Sequence, residues 1–265
     1  MWLLCTGQPS CGKTTLVKKA LHRINNEWQR NSDNDDDNNN NNTTDDRKKR
    51  APTSSSYTQH HQNIAVSGFY TDEVLDGNGR RIGFDIVGIA SKKRGVLSRK
   101  SGLPSNFPKT GQYSVDVASF EDIALVELDI IESQTSPAVT EDSDVTDDDR
   151  TSQIIIVDEI GRMELHSTKF QAAVEKLLHQ PHVLVIGAIT SAIYGHRVPF
   201  CDYITDGYKL KKHPMPVEVM RIKQSTRESV TIEYLQRLDV LCSNHLKGIE
   251  RGGRGENKRR RMKET

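Results

Sequence analysis

Apolar residues along this chain change their period from segment to segment. Trp2 to Cys5 form a short unbroken run, and Trp2 to Thr6 is predicted to be a strand. After two glycines, Leu16, Val17, Ala20, Leu21 and Ile24 recur at helical spacing, which predicts a helix from about Gly12 to Trp28. "AVSGFYTDEV" and "RRIGFDIVGIA" flank "LDGNG" and read as two strands joined by a tight Asn-Gly turn. "YSVDV" is a further short strand, and Ser119 with Asp122 forms a capping pair for the helix "FEDIALVELDII". Ile154 to Asp158 is a continuous β-branched run, as expected of a strand covered on both faces. "TKFQAAVEKLLH" is helical, "HVLVIGAI" and "VEVMRI" are strands, and "TRESVTIEYLQRL" is the closing helix. Alternating strands and helices predict an α/β fold: a three-layer arrangement with a mostly parallel sheet, helices on both faces and an added β-hairpin.

Three segments break this rhythm. Asn31 to Asp46 is Asn- and Asp-rich and continues through "RKKR" (Arg47 to Arg50); "EDSDVTDDD" lies in a second; the tail "KGIERGGRGENKRRRMKET" is a third. None carries enough apolar surface to offset the entropy of ordering, so all three are expected to be disordered or loop-like. The resulting organisation is one domain over 1–246 with inserts at about 31–62 and 132–152, followed by a basic tail over 247–265. Overall hydrophobic content of 34% agrees with unpacked segments.

Lys plus Arg number 37 and Asp plus Glu 36, a net charge of +1 that argues against a wholesale nucleic-acid or membrane-surface binder. Cys5, Cys11, Cys201 and Cys242 lack metal-finger spacing and are expected to be free thiols in a reducing compartment. No apolar run approaches membrane-spanning length and no signal peptide is recognised, so the expected location is the cytoplasm. The tail's "RGGRG" and "KRRRMK" leave open the nucleus, or RNA as a partner; no other partner or oligomeric state is legible.

Gly7, Gln8, Pro9, Ser10, Cys11, Gly12, Lys13 and Thr14 spell Gly-x4-Gly-Lys-Thr between a predicted strand and a predicted helix, the context a phosphate-binding loop needs. Backbone amides would surround the β-phosphate, Lys13 would bridge the β- and γ-phosphates, and the Thr14 hydroxyl would ligate Mg²⁺. Cys11 has two readings, a reactive thiol at a helix start or a tolerated position contributing only its amide. Asp158, ending its β-branched run, is placed to hold Mg²⁺ as a Walker-B aspartate does. Glu159 is the candidate to orient or deprotonate the attacking water, or else a structural salt bridge. Glu164 and Arg162 follow in the same stretch.

"GQPSCGKTT", "GFYTDEV", "GRRIGFDIVGI", "GVLSR", "GQYSVDVASFE" and "VDEIGRMEL" occur in the order seen in the THEP1-type nucleoside-triphosphatases, which the sequence resembles. That resemblance implies a P-loop NTPase fold and slow Mg²⁺-dependent hydrolysis of ATP, GTP and other nucleoside triphosphates. It implies nucleotide contacts at Gly7 to Thr14 and at Ile154, Ile155, Ile156, Val157, Asp158, Glu159, Ile160 and Gly161. The family's Thr-x-Glu-Asn-Arg segment is matched here by Thr226 and Glu228, but Ser229 and Val230 stand where Asn and Arg belong.

Hydrolysis of a γ-phosphate gains from a second cation. Arg81, Arg99 and Arg197 are the candidates, with His196 as a lid residue or an ordinary loop histidine. The leading reading is a nucleoside-triphosphate hydrolase with broad base specificity. A P-loop kinase, kept open by the basic "SKKRGVLSRK", and a nucleotide-dependent RNA- or partner-binding protein are the alternatives.

Overall fold

One nine-stranded sheet runs through the molecule, and its strand order decides where the chemistry can sit. The computed structural model describes residues 1–27, 64–135, 152–194 and 197–261. The strands are β1 (Trp2–Gly7), β2 (Ile64–Leu75), β3 (Arg81–Gly88), β4 (Arg94–Arg99), β5 (Lys109–Thr110), β6 (Tyr113–Val115), β7 (Ser152–Ile160), β8 (Val183–Ile189) and β9 (Val217–Ile222). They lie in the order β5-β6-β4-β3-β2-β7-β8-β1-β9. From β2 to β9 every pairing is parallel, and from β2 to β5 every pairing is antiparallel. The sheet is therefore mostly parallel by paired length, with an antiparallel wing.

Helices α1 (Lys13–Glu27) and α5 (Arg227–Arg261) cover one face, and α2 (Val117–Thr135), α3 (Thr168–Leu177) and α4 (Pro199–Gly207) the other. Successive strand residues divide between these layers. Leu3, Cys5, Ile154, Ile156, Leu184 and Ile186 pack with Leu16, Val17, Ala20 and Ile24 of α1 and with Tyr234 and Leu238 of α5. Trp2, Leu4, Ile155, Val157 and Val185 pack with α2, α3 and α4. Each fully buried side chain of this size contributes about 1.5–3 kcal/mol relative to exposure, which explains the unbroken apolar runs of β1, β7 and β8. Phe69, Phe120 and Phe170 meet edge to face, with centroids 5.5, 5.8 and 5.1 Å apart, and lock β2 onto α2 and α3.

The three-layer reading and the parallel core hold. Four elements differ from expectation. The expected hairpin is the start of a meander that continues through β4, β6 and β5. The helix expected to be capped by Ser119 and Asp122 begins three residues earlier, at Val117. Asp116 Oδ1 accepts the Ser119 amide at 3.0 Å, so Asp116 is the N-cap, in the usual geometry of an acidic cap and the third helical amide. Helix α4 was not expected, and α5 continues to Arg261 through most of the segment read as a disordered tail. The Asn/Asp-rich insert, "RKKR" and His196 lie outside the described residues, as do 136–151 of the acidic insert. Among the described residues no helix is long and apolar enough to cross a membrane.

Candidate active site

The loop between β1 and α1 turns through two left-handed residues, Ser10 (φ 61°) and Gly12 (φ 106°). Cys11 N–H donates to the Gln8 carbonyl at 3.2 Å, closing the turn, and Leu16 N–H donates to Gly12 at 2.9 Å, starting the helix. A Cβ on Gly7 would lie 2.5 Å from the carbonyl oxygen of Ile222 on β9, so only glycine lets the loop leave the sheet there. The Cys11 thiol is buried among Leu16, Val17 and Ile222, as suits a position that lends the loop only its amide. All four cysteines are free and buried.

Lys13 Nζ donates to the carbonyls of Gly7 at 3.2 Å and Gln8 at 3.5 Å and lies 3.4 Å from Glu159 Oε2. Glu159 Oε1 accepts from the Thr190 hydroxyl at 2.6 Å, just past the end of β8. Glu159 thus bridges the ends of β8 and β1 from its place on β7, two strands from the phosphate loop. The β7–β8 ladder shifts register between Val157 and Ile160, a bulge that takes Asp158 and Glu159 out of regular pairing. Bulges of this kind re-aim side chains beside functional sites.

Asp158 is fully buried. Its Oδ2 accepts from Thr71 N–H at 3.4 Å and the Thr71 hydroxyl at 3.3 Å. Burial and then the charge of Glu159 push its carboxyl up to about 6, while hydrogen bonds from Thr14 and Thr71 pull it down. Asp158 Oδ1 is buried without a partner among the described residues. A hydroxyl and a carboxylate in contact, with one buried oxygen unsatisfied, fit a small hard cation that takes few protein ligands and completes its shell with water and phosphate oxygens. Among the described residues no group of three or more His, Cys, Asp or Glu forms a self-sufficient metal site. Glu164 is buried as well; burial and then Glu159 push it up to about 8.

Lys13, Thr14, Thr71, Glu159, Glu164 and Thr190 line a cavity of about 910 Å³, and Asp158 lies buried against Thr71 of its wall. Its walls run from Gly7, Lys13 and Thr14 past Thr71, Glu159, Glu164 and Thr190 to Phe84, Leu97 and Tyr113 on the antiparallel wing. Ile154, Ile155, Ile156, Val157 and Ile160, carried over from the family resemblance, are buried core and do not line it, because they stand in the two covered faces of β7. Of the rest, Gly7, Pro9, Ser10, Gly12, Lys13, Thr14, Glu159 and Gly161 line it, and Gln8, Cys11 and the fully buried Asp158 do not.

The arginine candidates separate. Arg81 lines the cavity, held by Glu73 Oε1 at 2.6 Å and the Tyr113 hydroxyl at 3.1 Å. Arg99 is a structural clamp, donating to Asp85 at 2.6 Å and to the Phe84 and Ser98 carbonyls at 2.8 Å each. Arg197 pairs with Asp202 and borders a different, smaller depression. Arg162 and Arg227 also line the main cavity. Sequence reasoning missed Thr71, Thr190 and Arg227; only Thr190, directly after a buried parallel strand, carried a signal, since functional groups in such sheets gather at strand carboxyl ends.

A profile of the family described as NTPase matches residues 56–234. The chain belongs to the nucleoside-triphosphatase family of the THEP1 type. It is 32% identical over 187 residues to the human cancer-related nucleoside-triphosphatase, covering 69% of this chain and 72% of that protein. With nucleoside-triphosphatase THEP1 of Aquifex aeolicus it shares 28% identity over 252 residues, 95% of this chain and all of that one. The crystal structure of THEP1 from the hyperthermophile Aquifex aeolicus superposes with a TM-score of 0.56 at 25% identity, over 90% of this chain and 99% of that one. The solution structure of a human cancer-related nucleoside triphosphatase gives 0.54 at 28%, over 90% and 96%. The nucleoside-triphosphatase fold is thus shared over 90% of this chain.

Proposed function

We propose that this member of the nucleoside-triphosphatase family is a Mg²⁺-dependent phosphohydrolase that converts a nucleoside triphosphate and water to the diphosphate and phosphate. One observation carries the reading: the phosphate-loop lysine lies 3.4 Å from the Glu159 carboxylate near the end of β7, inside one cavity. Thr14 and Asp158 would hold the ion, which would neutralise charge on the β- and γ-phosphates. Lys13 exchanges its loop carbonyls and Glu159 for phosphate oxygens. That exchange frees Glu159 Oε2 to accept a proton from the attacking water, while Thr190 keeps Oε1 fixed. The water oxygen forms the new bond to γ-phosphorus, and the bond to the bridging oxygen breaks, releasing the diphosphate. The lining described around the loop is backbone and phosphate-directed, which supports tolerance of ATP, GTP, CTP and UTP. Phosphate release from these four, with and without Mg²⁺, is the test. Absence of release from all of them, or wild-type rates in Lys13→Ala, overturns the proposal.

A second reading has one observation in its favour. The cavity continues past Glu159 to Phe84 and Tyr113, whose ring centroids are 5.5 Å apart, a surface suited to a planar phosphoryl acceptor. The basic stretch that suggested a kinase lid is otherwise occupied: Arg94 pairs with Asp72 and Asp85, and Arg99 with Asp85. Label moving from the γ-phosphate to a nucleoside, in place of free phosphate, would favour this reading.

A further inference from the structure

Three features compete for a role beyond hydrolysis at Glu159: the ring-lined end of the cavity, the depression beside α4, and Arg227. Arg227 is carried furthest. It is the first residue of α5, yet its side chain reaches back over the phosphate loop. A Cβ built on Gly12 would lie 2.9 Å from Arg227 Cδ, 3.7 Å from Cγ and 3.9 Å from Nη1. The stem therefore rests on Gly12, whose lack of a side chain makes the approach tolerable, and the residue lines the same cavity as Lys13 and Thr14. Arg227 is exposed and, among the described residues, forms no salt bridge and donates no side-chain hydrogen bond. Arg81, Arg99 and Arg197 behave differently, since each is engaged by a carboxylate.

Strand order says which part of a nucleotide this cation meets. Asp158 and Glu159 come from β7, which is separated from β1 by β8. Arg227 follows β9, which flanks β1 on the opposite side. The γ-phosphate must face the carboxylate side, where Lys13 meets Glu159. Arg227 stands on the other flank of the loop.

We propose that Arg227 is a nucleotide-binding residue that grips the α- and β-phosphates, the part common to substrate and diphosphate product. A guanidinium presents a fork of donors to phosphate oxygens and always carries its charge. Because the diphosphate is bound before and after hydrolysis, its contact is uniform: it lowers KM without raising kcat. The inference rests on the phosphate-loop reading of the site, and not on Glu159 as base.

The test is Arg227→Ala and Arg227→Glu in the full chain. Being exposed and without an ion pair among the described residues, the residue can be changed without disturbing the core. Arg227→Ala is expected to raise KM for Mg·ATP and Kd for ADP by the same factor, roughly tenfold, the scale of one charge-assisted hydrogen bond, with kcat near wild type. Arg227→Glu raises both constants further. Unchanged ADP affinity in Arg227→Ala overturns the proposal, and so does a fall in kcat at constant ADP affinity, which would put the cation on the γ-phosphate. Equal constants in the Ala and Glu variants overturn it too. ADP binding is measured without turnover, so the outcome stands even if no hydrolysis is found, which would count against the proposed function alone.

Discussion

Replacing Glu164 with glutamine removes a buried titration while keeping the shape of the side chain. Glu164 is 5% exposed, and burial first, then the charge of Glu159, raise its carboxyl from an ordinary 4.5 to about 8. Between those two values the folded chain keeps a proton that the unfolded chain releases. A group with a raised folded pKa gives stability that is whole below the unfolded pKa and lost as pH climbs through the folded one. At 1.36 kcal/mol per pH unit, the rise from 4.5 to about 8 makes a loss of roughly 5 kcal/mol between acid and alkaline conditions. That figure is an upper bound, since a chain that ionises at this site relaxes and admits water.

Glu164→Gln cannot ionise, so its stability should not follow that slope. Urea unfolding, followed by tryptophan fluorescence from pH 5 to pH 9, is the assay. The two proteins should be similar near pH 5, and the variant should become progressively more stable above it, by several kcal/mol at pH 9. At pH 7 the variant should still release phosphate, because the carboxyl it replaces is already neutral there. Parallel pH profiles, or a variant less stable than wild type at pH 9, would refute the reasoning that Glu164 is held protonated beside Glu159.

Glu159→Gln keeps a partner for Thr190 but cannot accept a proton, and kcat should fall by about 10²–10⁴ with the fold intact; a rate near wild type, read by phosphate release, removes Glu159 as the base. The buried carboxylate of Glu127 accepts the amides of Gly68, Ala90 and Ser91 at 3.2, 2.9 and 2.7 Å, tying β2 to the turn after β3. Glu127→Ala strands all three donors and should cost at least about 3 kcal/mol in urea unfolding; a loss under about 1 kcal/mol would show the amides find water instead. Tyr234→Phe deletes one buried bond, from its hydroxyl to the Leu3 carbonyl at 2.9 Å, and should cost about 1 kcal/mol in the same assay; no change would mean that bond is worth nothing net.

What could be read from the sequence was local, and what could not was set by distant partners. The phosphate loop announces itself because strand, glycines, lysine and helix are contiguous, and β7 announces itself because a strand covered on both faces must be apolar throughout. The wing past the hairpin is different. In β4 the sequence reads Arg-Gly-Val-Leu-Ser-Arg, and its charges look like those of a loop until Asp85 on β3 and Asp72 on β2 are there to pair with them. Likewise α4 begins at a proline, which reads as a break although the first helical turn accepts it. The arginines make the same point most sharply. Arg81, Arg99, Arg197 and Arg227 are indistinguishable as residue types, and three of them stand in segments that look no less functional than the fourth. Arg227 differs because β9 pairs with β1 in the order that brings the start of α5 over Gly12, 215 positions earlier in the chain. No period or motif encodes that pairing, so the cation at the phosphate loop is a property of the sheet and not of the segment that carries it.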